Sequence, residues 1–213
     1  MIKNKQRLNH NLLPYLRRMG DQEMFDHPAY VCIYFSQPNE KSHQNAIINN
    51  KVNSGYSKFN DARRSGAYFA ALSFIDPSHQ VSQFLRIKDE IQDSDEYWKT
   101  VKALFDSHPR GSSDTGPWLN ILKRPDNPTI ETEFFYKLPD QLTIYQAGGL
   151  HEFGTAAMRW TLSKSDALRD VDGFGSCELK IGMIDKSKVL YVHSSPTGCY
   201  LYVDSRNVKK VDK

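Results

Sequence analysis

The segment that decides the fold is Leu138-Pro139-Asp140-Gln141-Leu142-Thr143-Ile144-Tyr145-Gln146-Ala147-Gly148-Gly149. Leu138 to Gln141 reads as a turn, and Leu142 to Tyr145 as a strand. Gly148 and Gly149 after a strand raise the question of phosphate cradling. A P-loop needs Gly-Lys-Ser/Thr at fixed spacing, and a dinucleotide fingerprint needs Gly-x-Gly-x-x-Gly before a helix. Neither is present, so a flexible turn is expected there.

Working outward, Ala156 to Leu162 is strand-like, and Ser163 has the character of an N-cap for a short helix, Lys164 to Arg169, with Asp166 in its first turn. Ser176 to Ile184 alternates, so Cys177, Leu179, Ile181 and Met183 share one face. Val189 to His193 and Tyr200 to Val203 are further strands, and Asp185-Lys186-Ser187 is a tight connection. Short connections place these strands in one sheet or sandwich. The tail Val208 to Lys213 reads as a frayed end.

The first half reads differently. Leu8, Leu12, Leu13 and Leu16 make a helical stripe interrupted by Pro14. Ala29 to Phe35, bounded by Pro28 and Pro38, reads as a strand, with a buried helix as the alternative at this length. Asn39 to Asn53 is polar and poorly patterned, with turn signals at Asn49-Asn50 and Asn53-Ser54-Gly55. A helix is expected over Phe59 to Ile75, and Asp76-Pro77 can start another through Ile91. Asp93 and Glu96 have capping-box spacing before an apolar face of Tyr97, Trp98, Val101, Leu104 and Phe105. His108 to Gly111 ends this helix, and Trp118 to Leu122 forms a short helical turn. The expectation is one α+β domain over residues 1–213, mainly helical over 1–128 and strand-rich over 129–213.

Composition sets outer bounds. Aromatics are 12%, and the mean hydropathy of −0.61 fits a folded, soluble chain. No apolar run nears the roughly 20 residues of a membrane span, and no apolar h-region follows the basic start, so a cytoplasmic protein without membrane attachment is expected. The net charge of +3 permits nucleic-acid association without arguing for it. The three cysteines, Cys32, Cys177 and Cys199, are too widely spaced for a metal knuckle and read as small buried hydrophobes. The seven histidines show no metal-ligand spacing, and no Gly-x-Ser-x-Gly elbow occurs.

In order and content, the last third of the chain resembles ADP-ribosyltransferases, especially compact phage and bacterial forms. Those carry Leu-Pro-Asp-x-Leu-x-Ile-Tyr-Arg-Gly, then Ser-Trp-Thr-Leu before a short helix, then a strand pair ending in a Glu-bearing strand. Here the matching stretches are Leu138 to Gly149, Arg159-Trp160-Thr161-Leu162, and Val189 to Val192 with Gly198 to Asp204. The resemblance implies a helical N-terminal half packed on a C-terminal split β-sandwich that binds NAD. It also implies a cofactor set of Tyr145, Gln146, Trp160, Thr161 and Tyr200.

The three polar positions such enzymes use are replaced. Gln146 stands for the arginine that holds the NAD phosphates, and it brings no charge. Arg159 stands for the serine, with the Thr161 hydroxyl nearby. Tyr200 stands for the glutamate that stabilises an oxocarbenium-like transition state, and a neutral phenol cannot supply that charge. Chemistry would have to be rebuilt from Glu152 and Arg159, with His151, Glu178 and Asp204 as other candidates. The implied function is transfer of ADP-ribose from NAD to a macromolecule through a non-standard site. The alternative is a catalytically inactive relative, a virus-encoded effector or inhibitor that binds a nucleotide or a host protein.

Overall fold

The computed structural model describes residues 4–107, 115–127, 133–149, 158–169, 177–195 and 198–211. Its contacts divide the chain into two compact units, Met1–Ser107 and His108–Lys213.

In the first unit a 3₁₀ helix, His10–Tyr15, leads into three antiparallel strands in sequence order: β1 (Leu16–Met19), β2 (Gln22–His27) and β3 (Tyr30–Tyr34). The expected leucine helix is therefore a six-residue 3₁₀ helix, about two turns. Pro14 inside it has no N–H to extend an α-helix, and Leu16 already belongs to β1. Leu8 and Leu12 still reach the core, beside Phe25, Tyr34, Ile48 and Val52. Gly20, at φ +61, makes the two-residue turn between β1 and β2 possible. The strand expected over Ala29 to Phe35 is β3.

The largest departure from the sequence reading is α1 (His43–Arg64), a 22-residue helix across a stretch that reads as a loop. Ser42 caps it by accepting from the Asn45 N–H at 3.0 Å. Its asparagines are core residues. Asn45, fully buried, accepts from the Tyr34 hydroxyl at 2.8 Å and donates to the carbonyls of Gln37 and Glu40. Asn49 accepts from the Asn9 N–H and donates to the Arg7 carbonyl at 2.8 Å. With Ile48, Val52 and Phe59 they form one buried helical face, which hydropathy conceals because two of its members are amides.

Gly66, at φ +78, follows α1 and separates it from α2 (Tyr68–Leu72). The helix expected over Phe59 to Ile75 is thus two helices. Asp76 caps α3 (Pro77–Ile87) through the Ser78 N–H, with Pro77 in the first turn as expected. Asp93 Oδ1 accepts from the N–H groups of Asp95 and Glu96 at the start of α4 (Ser94–Ser107). The Glu96 carboxylate accepts instead from the Phe69 N–H, so the capping box is not reciprocal. All five residues of the expected apolar face of α4 are buried.

The second unit opens with α5 (Thr115–Leu122) and α6 (Glu133–Tyr136). It continues through β4 (Gln141–Gly149), β5 (Arg159–Thr161), α7 (Lys164–Arg169), β6 (Cys177–Asp185), β7 (Val189–Ser195), β8 (Gly198–Val203) and β9 (Lys209–Lys210). The six strands form one antiparallel sheet in the order β7-β8-β5-β4-β6-β9. Gly148 and Gly149 do not form a turn; they continue β4 opposite Glu178 and Cys177. The expected frayed tail is also paired, because Lys209 and Lys210 lie opposite Met183 and Gly182. Ser163 caps α7 through the Asp166 N–H, as its position suggests.

One face of this sheet is apolar: Leu142, Ile144, Trp160, Ile184, Val189, Val192, Leu201 and Val203 cluster with Phe135 of α6. On β6 the core residue is thus Ile184, while Leu179, Ile181 and Met183 lie half-buried on the opposite face. The architecture is mixed helix and sheet with two sheets, in keeping with α+β. No helix among the described residues is long and apolar enough to cross a membrane.

Two consequences for stability can be measured. Asn45→Ala removes one buried and two partly buried hydrogen bonds and should destabilise the first unit by about 2–4 kcal/mol in urea unfolding, whereas the exposed Asn50→Ala should change little. Burial, aided by His79, lowers the pKa of His27 from 6.5 to about 4. The unfolded chain then binds the proton first, so the contribution is fully present above pH 6.5 and is lost as pH falls to 4. That loss should amount to about 3 kcal/mol. His27→Gln should flatten the decline over that window, and an unchanged pH slope would refute the assignment.

Candidate functional site

The residues singled out by sequence fall on three adjacent strands of the six-stranded sheet. Thr161 of β5 pairs with Tyr145 of β4 on one side and with Tyr200 of β8 on the other. Register continues the row to Ile181 of β6 and His193 of β7. Residues directly opposite each other share a face, as do residues two apart along a strand. Tyr145, Arg159, Thr161, Tyr200, Tyr202, Tyr191 and His193 therefore lie on one face, and Gln146 and Trp160 on the other.

That division separates the expected cofactor set. Trp160 is buried in the apolar cluster, with its ring beside Gly182 and is a core residue. Gln146 does not join the face of Arg159 and Tyr200. Its side-chain amide crosses to the neighbouring strand and donates to the Arg159 carbonyl at 2.9 Å.

Arg159 and Tyr200 do meet. The Arg159 guanidinium lies 3.9 Å from the centroid of the Tyr200 ring, a cation–π contact worth about 1 kcal/mol. Tyr200, Tyr202 and Tyr191 are buried, and Tyr191 packs on both Tyr202 and His193, with ring centroids 5.9 and 6.5 Å apart. The face is thus a row of phenols, an imidazole and a guanidinium. No Asp or Glu occurs in β4, β5, β7 or β8.

The acids proposed for rebuilt chemistry fare differently. Glu152 and His151 lie outside the described residues. Glu178 is exposed on β6. Asp204 is a structural group. It caps the Ser205–Asn207 turn through the Arg206 N–H and receives the Arg206 guanidinium at 2.9 Å. The hydrogen bonds from that side chain hold its carboxyl below the usual carboxylate range.

Two residues that sequence reading passed over belong to this region. Lys180 sits directly opposite Gln146. Burial lowers its ammonium pKa, and Lys210 adds to the effect. Its charge next to Gln146 is invisible until β6 is paired with β4. His193 likewise reaches the Tyr200 row only through the β7–β8 register. Burial raises the Cys199 thiol above its ordinary value, which keeps it protonated and unsuited to nucleophilic attack. Among the described residues no three His, Cys, Asp or Glu side chains gather as a metal site would require.

No family model, curated protein or solved structure matches the chain.

The packing under the site makes a direct prediction. A Cβ on Gly182 would overlap the Val208 side chain and press on the Trp160 indole at 3.4 Å. Gly182→Ala should cost about 1–3 kcal/mol and speed amide exchange at Val211, whose N–H bonds the Ile181 carbonyl.

Proposed function

We propose that this chain is an ADP-ribosyltransferase-like protein whose site binds a nucleotide of the NAD type without transferring ADP-ribose. The observation that carries this reading is the Arg159–Tyr200 contact. The two positions that depart most from the transferase pattern occupy each other, and the third, Gln146, is tied to the Arg159 backbone. The replacements form one connected set on adjacent strands.

Loss of transfer is supported by charge. The strands that would surround the reacting ribose carry no carboxylate, and an oxocarbenium-like transition state gains no stabilisation from a guanidinium. Retained nucleotide binding is supported by cations beside the replaced arginine: Arg159 on one face and Lys180 on the other both suit phosphate oxygens. The half-buried ring of Tyr145 suits a planar base. A host protein partner and a cytoplasmic place of action belong to the same reading.

The test is calorimetric titration with NAD, paired with an assay for released nicotinamide. Saturable binding is expected, weakened about tenfold in Arg159→Ala, with no nicotinamide released. Absence of binding at millimolar NAD would remove the nucleotide reading and leave protein capture. Nicotinamide release abolished by Glu152→Ala would instead establish a working transferase with a rebuilt site.

A further inference from the structure

The exposed side of α1 is short of acid. In 22 residues the helix holds one carboxylate, Asp61, and Arg64 takes it at 3.5 Å. Arg63 is likewise held by Glu90, at 2.7 Å. Lys51 and Lys58 are exposed and form no ion pair among the described residues. Lys58 lies 5.7 Å from the centroid of the Phe74 ring. The α4 helix shows what an ordinary solvated face does with its lysines. There Lys99 meets Glu96 at 3.7 Å and Lys102 meets Asp106 at 3.0 Å, each one turn away. Lys51 has no acid within one turn in either direction.

Positions seven apart on a helix drift by only about 20°, so the exposed residues run in parallel rows. Lys51 and Lys58 form one margin, and Asn50 and Ser57 the other. Ser54 lies between them, with Ile47 and Asp61 before and after it. The middle of the face is therefore small, and a partner can come close to the helix axis there. The start of α1 is basic as well. The Gln6 N–H donates to the Ser42 carbonyl at 3.1 Å, and the Ser42 N–H returns to the Gln6 carbonyl at 2.9 Å, which fixes the N-terminal segment beside the cap. Lys5, Arg7 and Lys41 are exposed there and form no ion pair among the described residues. Glu40 is the one acid in residues 4–9 and 37–42.

Three properties narrow the partner. Cations along one margin and at one end suit a polyanion rather than a single anion. Amides and hydroxyls beside them both donate and accept, which suits the edges of bases. The shape decides between nucleic acids. A helix about 10–12 Å across fits the major groove of B-form DNA, about 12 Å wide, whereas the major groove of A-form RNA is too narrow to admit it. An acidic polypeptide would satisfy the lysines but would leave the amide and hydroxyl rows without a use.

We propose that α1 lays its exposed face in the major groove of duplex DNA. Lys51 and Lys58 contact phosphates of one strand, Asn50 and Ser54 face the base edges, and Lys5, Arg7 and Lys41 contact the backbone at the helix start. This surface belongs to the first unit and does not depend on the nucleotide reading of the six-stranded sheet.

The test is fluorescence anisotropy of a labelled DNA duplex of mixed sequence, about 20 base pairs long, titrated with the whole chain from about 50 to 200 mM salt. Saturable binding is expected with a dissociation constant of about 1–100 μM, and log K should fall with log salt at a slope of roughly −3 to −5. Replacing both Lys51→Gln and Lys58→Gln should weaken binding about tenfold and reduce the slope by about 2. Ser54→Trp changes no charge and should also weaken binding about tenfold, by holding the helix out of the groove. Lys99→Gln with Lys102→Gln, which removes equal charge from α4, should change neither value. Thermal melts confirm that each variant is folded. Tighter binding to the DNA duplex than to an RNA duplex of the same sequence supports groove docking. No saturable binding to about 100 μM, equal affinity for the RNA duplex, equally effective competition by polyglutamate, an unaffected Ser54→Trp, or equal weakening in the α4 variant overturns the proposal.

Discussion

Among the described residues a single register pair, Tyr145 opposite Thr161, joins β4 to β5 in the middle of the six-stranded sheet. On one side of that junction lies the long β4–β6 ladder with β9, and on the other the β7–β8 hairpin. β5 is only three residues long, so it offers few backbone bonds to either neighbour. Side chains make up the difference. Gln146 reaches across to the Arg159 carbonyl, and Trp160 buries its indole beneath the junction against Gly182 and Val208. A buried Trp contributes more apolar area than any other single side chain could at this point. The site depends on this junction because it sets Gln146 of β4 beside β5, whose ladder with β8 in turn brings Arg159 onto the ring of Tyr200.

The same region lets Arg159, Tyr200 and Gln146 satisfy one another. A guanidinium added at one strand position needs a partner, and a ring added on the next strand supplies a face for it. A neutral amide on the third strand needs no anion and can turn to a backbone carbonyl instead. Such a network ties three adjacent strands together through their side chains.

The first unit solves a different problem. Its long helix buries amides where a leucine would be expected, and each amide reads out the backbone of the segment lying over it. Asn45 holds the carbonyls before the helix, and Asn49 holds the entering N-terminal segment. Gln44 does the same at the sheet edge, donating to the Ile33 carbonyl and accepting from the Phe35 N–H. Side-chain amides there mimic a neighbouring strand and close an otherwise open edge. The cost of burying them is offset only when every donor and acceptor is matched, so these positions fix the path of the chain more sharply than apolar residues would.

Sequence by itself determined the local events. Asp76, Asp93 and Ser163 mark helix starts because a side-chain oxygen two or three residues from a free N–H is a short-range fact. The face of α4 and the strands from Leu142, Val189 and Tyr200 are equally legible, since apolar periodicity needs only neighbours along the chain. The helix that starts at His43 was not legible, because two amides interrupt its buried face and only their partners reveal it. Nor was the composition of the site. Sequence order placed Gln146, Arg159 and Tyr200 on three strands, but only pairing decided that β5 lies between β4 and β8. Pairing also decided that Gln146 faces away from the other two, that Lys180 joins Gln146, and that His193 joins Arg159 and Tyr200. Strand register is set by contacts between residues tens of positions apart, and a shift of one residue reverses every face. That information exists only in the assembled sheet.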